Sequence, residues 1–516
     1  MGLRHGLLGA CGAAMLAMAS ASPAAAQKAA DTLRFAFQDP ISTVDIFFDP
    51  KPETEFVEDA IFDNLLVYDA KSHTYKPGLA QDWKHVDPKT LELKLRPGIT
   101  FHDGSPLTAD DVVYTLNYLS DPKSKLRYAA NWDFIDHAEK VSADTVRVVM
   151  KRPTAYDLAR LATNTPIYPA AIHGKLAEKV DFGRKHPVGT GPYMLKSIDS
   201  TNGVVLVKNP NYRSPGPWRP AASIGTIRLI PMPDLQTEIA TMMTGGIDLI
   251  HDVPKDQAQN LASTPGFAMT ASQGLTFYFM AMASVDKSGT APELTKPEVR
   301  KALEMAIDRE ALRKDLVPGG DAVKLVDAFC IDAQVGCVHS VKPPAFDPDG
   351  AKKLLAEAGY PNGFDVDITA YPGAWPEAEA VGGMLRKIGV RASVNTLTFV
   401  AYRKKQTAGK LQILVGHWAS GGMPDAAAAP DFLFNDTGRD YWHDKEINAW
   451  QKEAGGEMDS AKRDAIYKKI FDRINEQHYV MTLTTFPTIF VHSADLVVPK
   501  GSLTTAGAQL DEMHWK

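Results

Sequence analysis

From Thr32 almost to the C-terminus, stretches with apolar residues at every second position alternate with stretches whose apolar residues recur every third or fourth. A strand shows the first period and an amphipathic helix the second, so mixing them along one chain calls for sheets covered by helices, an α/β or α+β architecture. Thr32-Leu33-Arg34-Phe35-Ala36-Phe37 reads as a first strand, and Glu55 to Leu66 as a helix with Phe56, Ile61, Phe62 and Leu65 on one face. Thr90 to Leu95 alternates as a strand and runs into the turn Pro97-Gly98. Thr108, followed by Asp110 and Asp111 and then Val112, Val113, Leu116 and Leu119, marks a capped amphipathic helix. No internal repeat, heptad run or low-complexity tract interrupts the pattern. At 516 residues the chain exceeds what one core can serve, which predicts two or three domains.

The first residues follow a different rule. Arg4 and His5 precede a small, apolar run from Leu7 to Ala21, and Ala24 and Ala26 stand three and one positions before Gln27. That order predicts a secretory signal peptide over 1–26, cleaved after Ala26, and hence a periplasmic protein. The run is shorter than the roughly 20 residues that span a bilayer. Cys11 stands too early in it to be a lipid-attachment site. No second apolar stretch of spanning length follows Gln27. The net charge of −6, with lysines and arginines scattered, gives no reason to expect nucleic acid or an anionic membrane as partner.

Beyond the signal, two cysteines remain, Cys330 and Cys337, in FCIDAQVGCVHS. In an oxidising compartment they read as a local disulfide, a short staple contributing at most a few kcal/mol. A metal pair is the other reading, with His339 as the one conventional ligand nearby.

His102 and Asp103 suggest an acid–base pair, but adjacent residues on a turn point apart, and the HDG triplet reads as the turn itself. Asp110 and Asp111 read as solvated carboxylates at a helix N-terminus. The chain contains no Gly-x-Ser-x-Gly, His-Glu-x-x-His or Gly-x-x-x-x-Gly-Lys pattern. No catalytic residue, metal site or cofactor is therefore expected, and the chain reads as not an enzyme.

Residues 77–119, PGLAQDWKHVDPKTLELKLRPGITFHDGSPLTADDVVYTLNYL, resemble the signature region of the extracellular solute-binding proteins of family 5, the dipeptide-, oligopeptide- and nickel-binding receptors of ABC importers. VGTGPYMLKSI (188–198), GGIDLIHDVP (245–254), PEVRKALEMAIDREAL (297–312), FDPDGAKKLLAEAGYPNGF (346–364) and GHWASGGMPDAAAAPDFLF (416–434) follow in that family's order. The resemblance implies a two-lobed periplasmic-binding-protein fold whose hinged lobes close on a ligand. Lobe I would take 27–272 and 487–516, with an extra subdomain over 72–187, and lobe II 273–486. It also implies delivery of a small solute, a peptide or peptide-like compound, to inner-membrane permease subunits by a monomeric receptor.

Binding residues are sought where strands end at the hinge. Lobe I offers Gln38, Asp39, Ser42 and Thr43, the second crossing offers Tyr278, and lobe II offers Tyr371, Trp375, His417 and Trp418, the last placed just after a strand over 411–416. Trp418 corresponds to a cleft-lining tryptophan of the family. Dipeptide-binding members resemble Trp-x-x-Asp, the carboxylate holding the ligand's ammonium, whereas this chain has Trp418-Ala419-Ser420-Gly421. The arginine that pairs with a dipeptide carboxylate has no counterpart in DITAYPGAWPEAEA. Asp425 is the nearest substitute for the missing acid. The same aromatics and His417 also suit an opine, a sugar-like solute, an aromatic compound or a metal chelate, and a periplasmic hydrolase is the most distant reading.

Overall fold

The computed structural model describes residues 31–516 except 50, 70–71, 186, 285–290, 436 and 502–507. The expected signal peptide and Cys11 lie outside the described residues.

Two large sheets organise the chain. The first has seven strands, in the order Phe267–Ser272, Thr488–Ser493, Leu249–His251, Thr32–Phe37, Thr226–Pro231, Gly203–Lys208 and Tyr193–Asp199. The second has five, in the order Arg391–Thr396, Asp365–Ala370, Ile413–Trp418, Phe277–Met282 and Val480–Thr485. The chain leaves the first sheet after Ser272, enters the second at Phe277, and returns between Thr485 and Thr488.

Both sheets are covered on both faces, which is why their central strands are apolar throughout. All six residues of Phe277–Met282 are buried. Phe277, Phe279 and Ala281 face one apolar layer with Phe329, Phe432 and Tyr467, while Tyr278, Met280 and Met282 face another with Leu303, Val381 and Ile413. In the first sheet Leu33, Phe35 and Phe37 point into one layer and Ala36 into the other.

A four-stranded antiparallel sheet, Ala80–Asp87, Thr90–Leu95, Thr145–Met150 and Ile135–Lys140, stands within the stretch 72–187. The helix Ala109–Ser120 packs Val112, Leu116 and Leu119 into the same core as Leu91, Leu93, Val146 and Val148. Asp110 is solvated and paired with Lys140 at 2.7 Å. Asp111 is not solvated as the sequence suggested. It is buried, accepting from the Thr108 N–H at 2.9 Å and hydroxyl at 2.7 Å through one oxygen and from the Ala170 N–H at 2.9 Å through the other. His102 Nδ1 accepts from the Gly189 N–H at 3.2 Å and its Nε2 stands 3.1 Å from the Gly191 carbonyl, so the ring holds a turn together away from Asp103.

The helix expected over 55–66 runs instead from Pro52 to Ile61. Leu65 stays buried and so sustains the helical period, but Asp63 and Asn64 are drawn away by distant partners: Asp63 accepts from Thr190 at 3.0 Å and Arg219 at 3.1 Å, and Asn64 from the Thr165 N–H at 2.7 Å. Leu66 then opens the strand Leu66–Asp69. Cys330 and Cys337 are disulfide-bonded, with Cα atoms 5.7 Å apart.

The two parallel strands at the middle of the first sheet are locked by a buried ion pair. Arg34 Nε and Nη2 donate to Asp248 at 2.8 and 2.6 Å, the Arg34 N–H donates to the same carboxylate at 2.9 Å, and Nη1 donates to the Gly245 carbonyl at 2.6 Å. Removing one member strands a charge in the core. Arg34→Met is expected to lower unfolding free energy by about 3–5 kcal/mol in urea melts, and adding Asp248→Leu to recover most of that loss.

Candidate functional site

In sheets with parallel strands, ligands sit outside the carboxyl ends of the strands. Thr32–Phe37 runs parallel to Leu249–His251 with Phe35 beside Leu249, so Gln38 and Asp39 leave the sheet at the edge where Asp252 does. His251 is buried among Phe35, Phe37, Phe56 and Phe490, with ring centroids 5.0–6.4 Å away. Its Nδ1 meets Asp252 Oδ2 at 2.8 Å. Asp252 adopts φ 55°, a conformation few non-glycine residues take, which turns its carboxylate back onto that ring.

The Asp252 side chain is 59% accessible. Desolvation opposes its charge, but the charge and hydrogen bond of His251, helped by His417, hold it below the ordinary carboxylate range. Burial alone would depress His251; Asp252, Glu53 and Glu238 overcome that and raise it. Glu238, from the helix Leu235–Met243, is pushed by burial up to about 7, against the pull of His251 and Gln38.

The opposite wall comes from the second sheet. Tyr278 and His417 stand level on neighbouring strands. The Tyr278 hydroxyl donates to the Gly373 carbonyl at 2.9 Å, and its ring stacks on Phe486 at 4.8 Å. His417 lies edge-on to both, at 6.2 Å from Tyr278 and 5.3 Å from Phe486. Tyr371 is buried behind it, its hydroxyl donating to the His417 carbonyl and accepting from the His417 N–H at 3.0 Å. The imidazole Nε2 is 3.3 Å from the Pro372 carbonyl. Gly373 has φ +91°, and a Cβ there would come within 2.8 Å of that nitrogen, so only glycine lets the ring lie here.

Glu377, in the first turn of the helix Trp375–Lys387, is buried beside Tyr278. Burial pushes it up to about 7, with its own backbone N–H and the Tyr278 hydroxyl pulling it down. The charges of Asp252 and Glu377 both act on the Tyr278 hydroxyl, and that of Asp252 also acts on His417.

The structure therefore brings together Gln38, Asp39, Tyr278, Tyr371 and His417 from the sequence expectations. Trp418 is the last residue of the strand Ile413–Trp418, two residues later than the expected strand end, and alternation puts it on the face opposite His417. It is half-buried, stacked on Phe432 at 3.9 Å. Asp425 is no substitute anchor: both oxygens are taken by Arg463 at 2.7 Å in a buried pair. Thr43 is buried in a turn, its hydroxyl accepting from the Asp45 N–H at 3.2 Å, while Ser42 is exposed. Trp375 is 56% exposed at its helix N-terminus.

Sequence reasoning passed over His251, Asp252, Glu53, Glu238, Glu377 and Phe486. The segment GGIDLIHDVP did carry a signal, because it resembles the stretch that enters the family's cleft. Among the described residues no three His, Cys, Asp or Glu side chains are placed to share a metal ion.

Residues 74–441 match the family described as bacterial extracellular solute-binding proteins, family 5 Middle. The chain is 28% identical over 430 residues to the glutathione-binding protein GsiB of Escherichia coli (strain K12), covering 80% of each. Its fold is similar to that of the ABC transporter substrate-binding protein CtaP from Listeria monocytogenes, with TM-score 0.81, 19% identity, and 94% and 99% of the two chains covered. It is also similar to a dipeptide-binding protein from Pseudoalteromonas sp. SM9913 in complex with Met-Leu, with TM-score 0.74, 23% identity, and 94% and 100% covered.

The raised Glu377 makes a pH prediction. A carboxyl whose folded pKa exceeds its unfolded value stabilises fully below the unfolded pKa, and that contribution is lost as pH rises through the folded one. Glu377→Gln removes the effect. Relative to the parent protein, the variant is expected to gain on the order of 2 kcal/mol in chemical-denaturation free energy between about pH 5 and about pH 8. A difference independent of pH would show that Glu377 is ionised throughout.

Proposed function

The chain belongs to the bacterial extracellular solute-binding proteins of family 5, and we propose that within it this receptor captures a peptide or peptide-like solute between its lobes. It is a binding protein, and the family works with ABC-type permeases. One observation carries the ligand reading: Asp252 leaves the carboxyl edge of the first sheet with its side chain 59% accessible, and its charge reaches Tyr278 and His417 of the second sheet, beside the stacked rings of Tyr278 and Phe486. A few polar anchors among apolar walls are what a small-solute site requires.

The lobe division 27–272 plus 487–516 and 273–486 is supported by the partition of strands between the two large sheets. The extra subdomain over 72–187 is supported by its own four-stranded sheet. Residues 1–26 serve as the cleavable export signal, and the receptor acts as a monomer. The similarity to a protein named for binding glutathione, and the shared fold of a dipeptide-binding protein in complex with Met-Leu, support a peptide-like ligand. Closure follows population shift: ligand bridging both walls favours the closed form, which the permease receives.

Thermal-shift screening of the mature chain against short peptides, opines, sugars and metal chelates tests this reading. A cognate peptide at a hundredfold excess over its dissociation constant is expected to stabilise by about 2.7 kcal/mol. His417→Ala, whose own melting can be checked without ligand, is expected to remove most of that gain. Stabilisation by an opine, a sugar or a chelate with none by any peptide would replace the peptide reading.

A further inference from the structure

The wall built from the first sheet gathers more carboxyl groups than a neutral solute would use. Phe56 packs on His251, with centroids 6.0 Å apart, and sets Glu53, one turn earlier in the helix Pro52–Ile61, over the edge where Asp39 and Asp252 emerge. Glu238 approaches from the helix Leu235–Met243, and Glu377 from the other wall. The strongest electrostatic partners of these acids are each other, His251, His417 and Tyr278, with no lysine or arginine among them. The two nearest cations along the chain are engaged elsewhere: Lys51 is 3.8 Å from Asp49, and Lys255 donates to the Lys314 carbonyl.

A solvated acidic patch would need no partner, but several atoms here are sealed from water. Glu238 is 1% exposed with neither carboxylate oxygen hydrogen-bonded, Glu377 is 4% exposed with Oε2 unpartnered, and His251 is 6% exposed with Nε2 unpartnered. Buried acceptors left in that state are costly, and a donor arriving with a positive charge is the group that satisfies them best. A bare metal ion is a poor fit, since no three ligating side chains among the described residues converge. A primary ammonium or guanidinium on a flexible stem needs no such convergence.

We infer that the first-sheet wall is a subsite for a cationic group of the ligand, with Asp252 receiving it, Asp39 at its mouth, and Glu53 and Glu238 behind. On the peptide reading, on which this rests, the group is a lysine or arginine side chain. Asp252 is the accessible member, steadied by His251, and an arriving cation draws the burial-raised Glu53 and Glu238 toward their charged forms.

The test is calorimetric titration of the full mature chain with Ala-X-Ala peptides, X being lysine, arginine, norleucine or glutamate, and with a non-peptide diamine. The lysine and arginine peptides are expected to bind about tenfold more tightly than the norleucine peptide, and the glutamate peptide most weakly. Asp252→Asn and, separately, Glu53→Gln are expected to bring the lysine-to-norleucine ratio toward one, with thermal melts confirming that each variant folds. Norleucine binding as tightly as lysine, or an equal loss for every peptide in Asp252→Asn, overturns the subsite and leaves the peptide reading standing. Diamine binding that depends on Asp252, with no peptide bound, keeps the subsite and overturns the peptide reading. No binding by any cationic compound overturns the subsite.

Discussion

The Arg34–Asp248 ion pair fixes where the acids of the first sheet's carboxyl edge can stand. Two guanidinium nitrogens and the backbone N–H of Arg34 converge on one carboxylate, and the Asp248 N–H returns a bond to the Arg34 carbonyl at 2.9 Å. A pair this buried tolerates no slip in register, because any shift would leave a charge desolvated and unpaired. Locking Arg34 to Asp248 fixes Phe35 beside Leu249, and with it the emergence of Asp39 and Asp252 at one edge. Asp248 also accepts, through its carbonyl, the Ser493 N–H at 2.9 Å. The strand that re-enters the first sheet from the hinge is therefore pinned to the same residue.

The second wall is held by a different device. His417 owes its position to neutral groups: a tyrosine hydroxyl bonded to both its backbone atoms, a proline carbonyl at its ring nitrogen, and a glycine that leaves the ring room. Phe486 belongs to the return crossing, donates its N–H to the Thr276 carbonyl of the outward crossing at 2.9 Å, and stacks on Tyr278. Cleft and hinge thus share a ring. The outward crossing takes residues 273–276 and the return crossing 486–487, each only a few residues between strands.

Local pattern carried the sequence far where one residue type had one job. Thr32–Phe37 and Thr90–Leu95 are strands over the residues that their alternation indicates. Periodicity failed where burial outlasted the helix, as at Leu65, and where a strand ran on through polar residues, as at His417 and Trp418, because period reports burial and not hydrogen bonding. Asp425 attracted notice as a missing anchor, and only its spatial neighbour Arg463, 38 positions away, shows that its charge is already spent. His251 and Asp252 lay inside a recognisable segment, but nothing local distinguishes a buried imidazole among four aromatic rings from an exposed one. Glu377 reads as an ordinary first-turn helix acid until Tyr278, far away in sequence, is seen beside it.

The position where dipeptide-binding relatives resemble aspartate is instructive in this light. Gly421 has φ +56°, between Ser420 at 54° and Gly422 at 69°, and a Cβ at Gly421 would meet nothing within 4 Å. Sterics therefore do not forbid an acid there, since aspartate tolerates this conformation better than most residues. The carboxyl groups near Tyr278 and His417 come instead from the first sheet's side, at Asp252, Glu53 and Glu238, and from a helix start at Glu377. On the inference drawn above, the ligand's positive charge is held by the first-sheet wall and not by a Trp-x-x-Asp loop of the second.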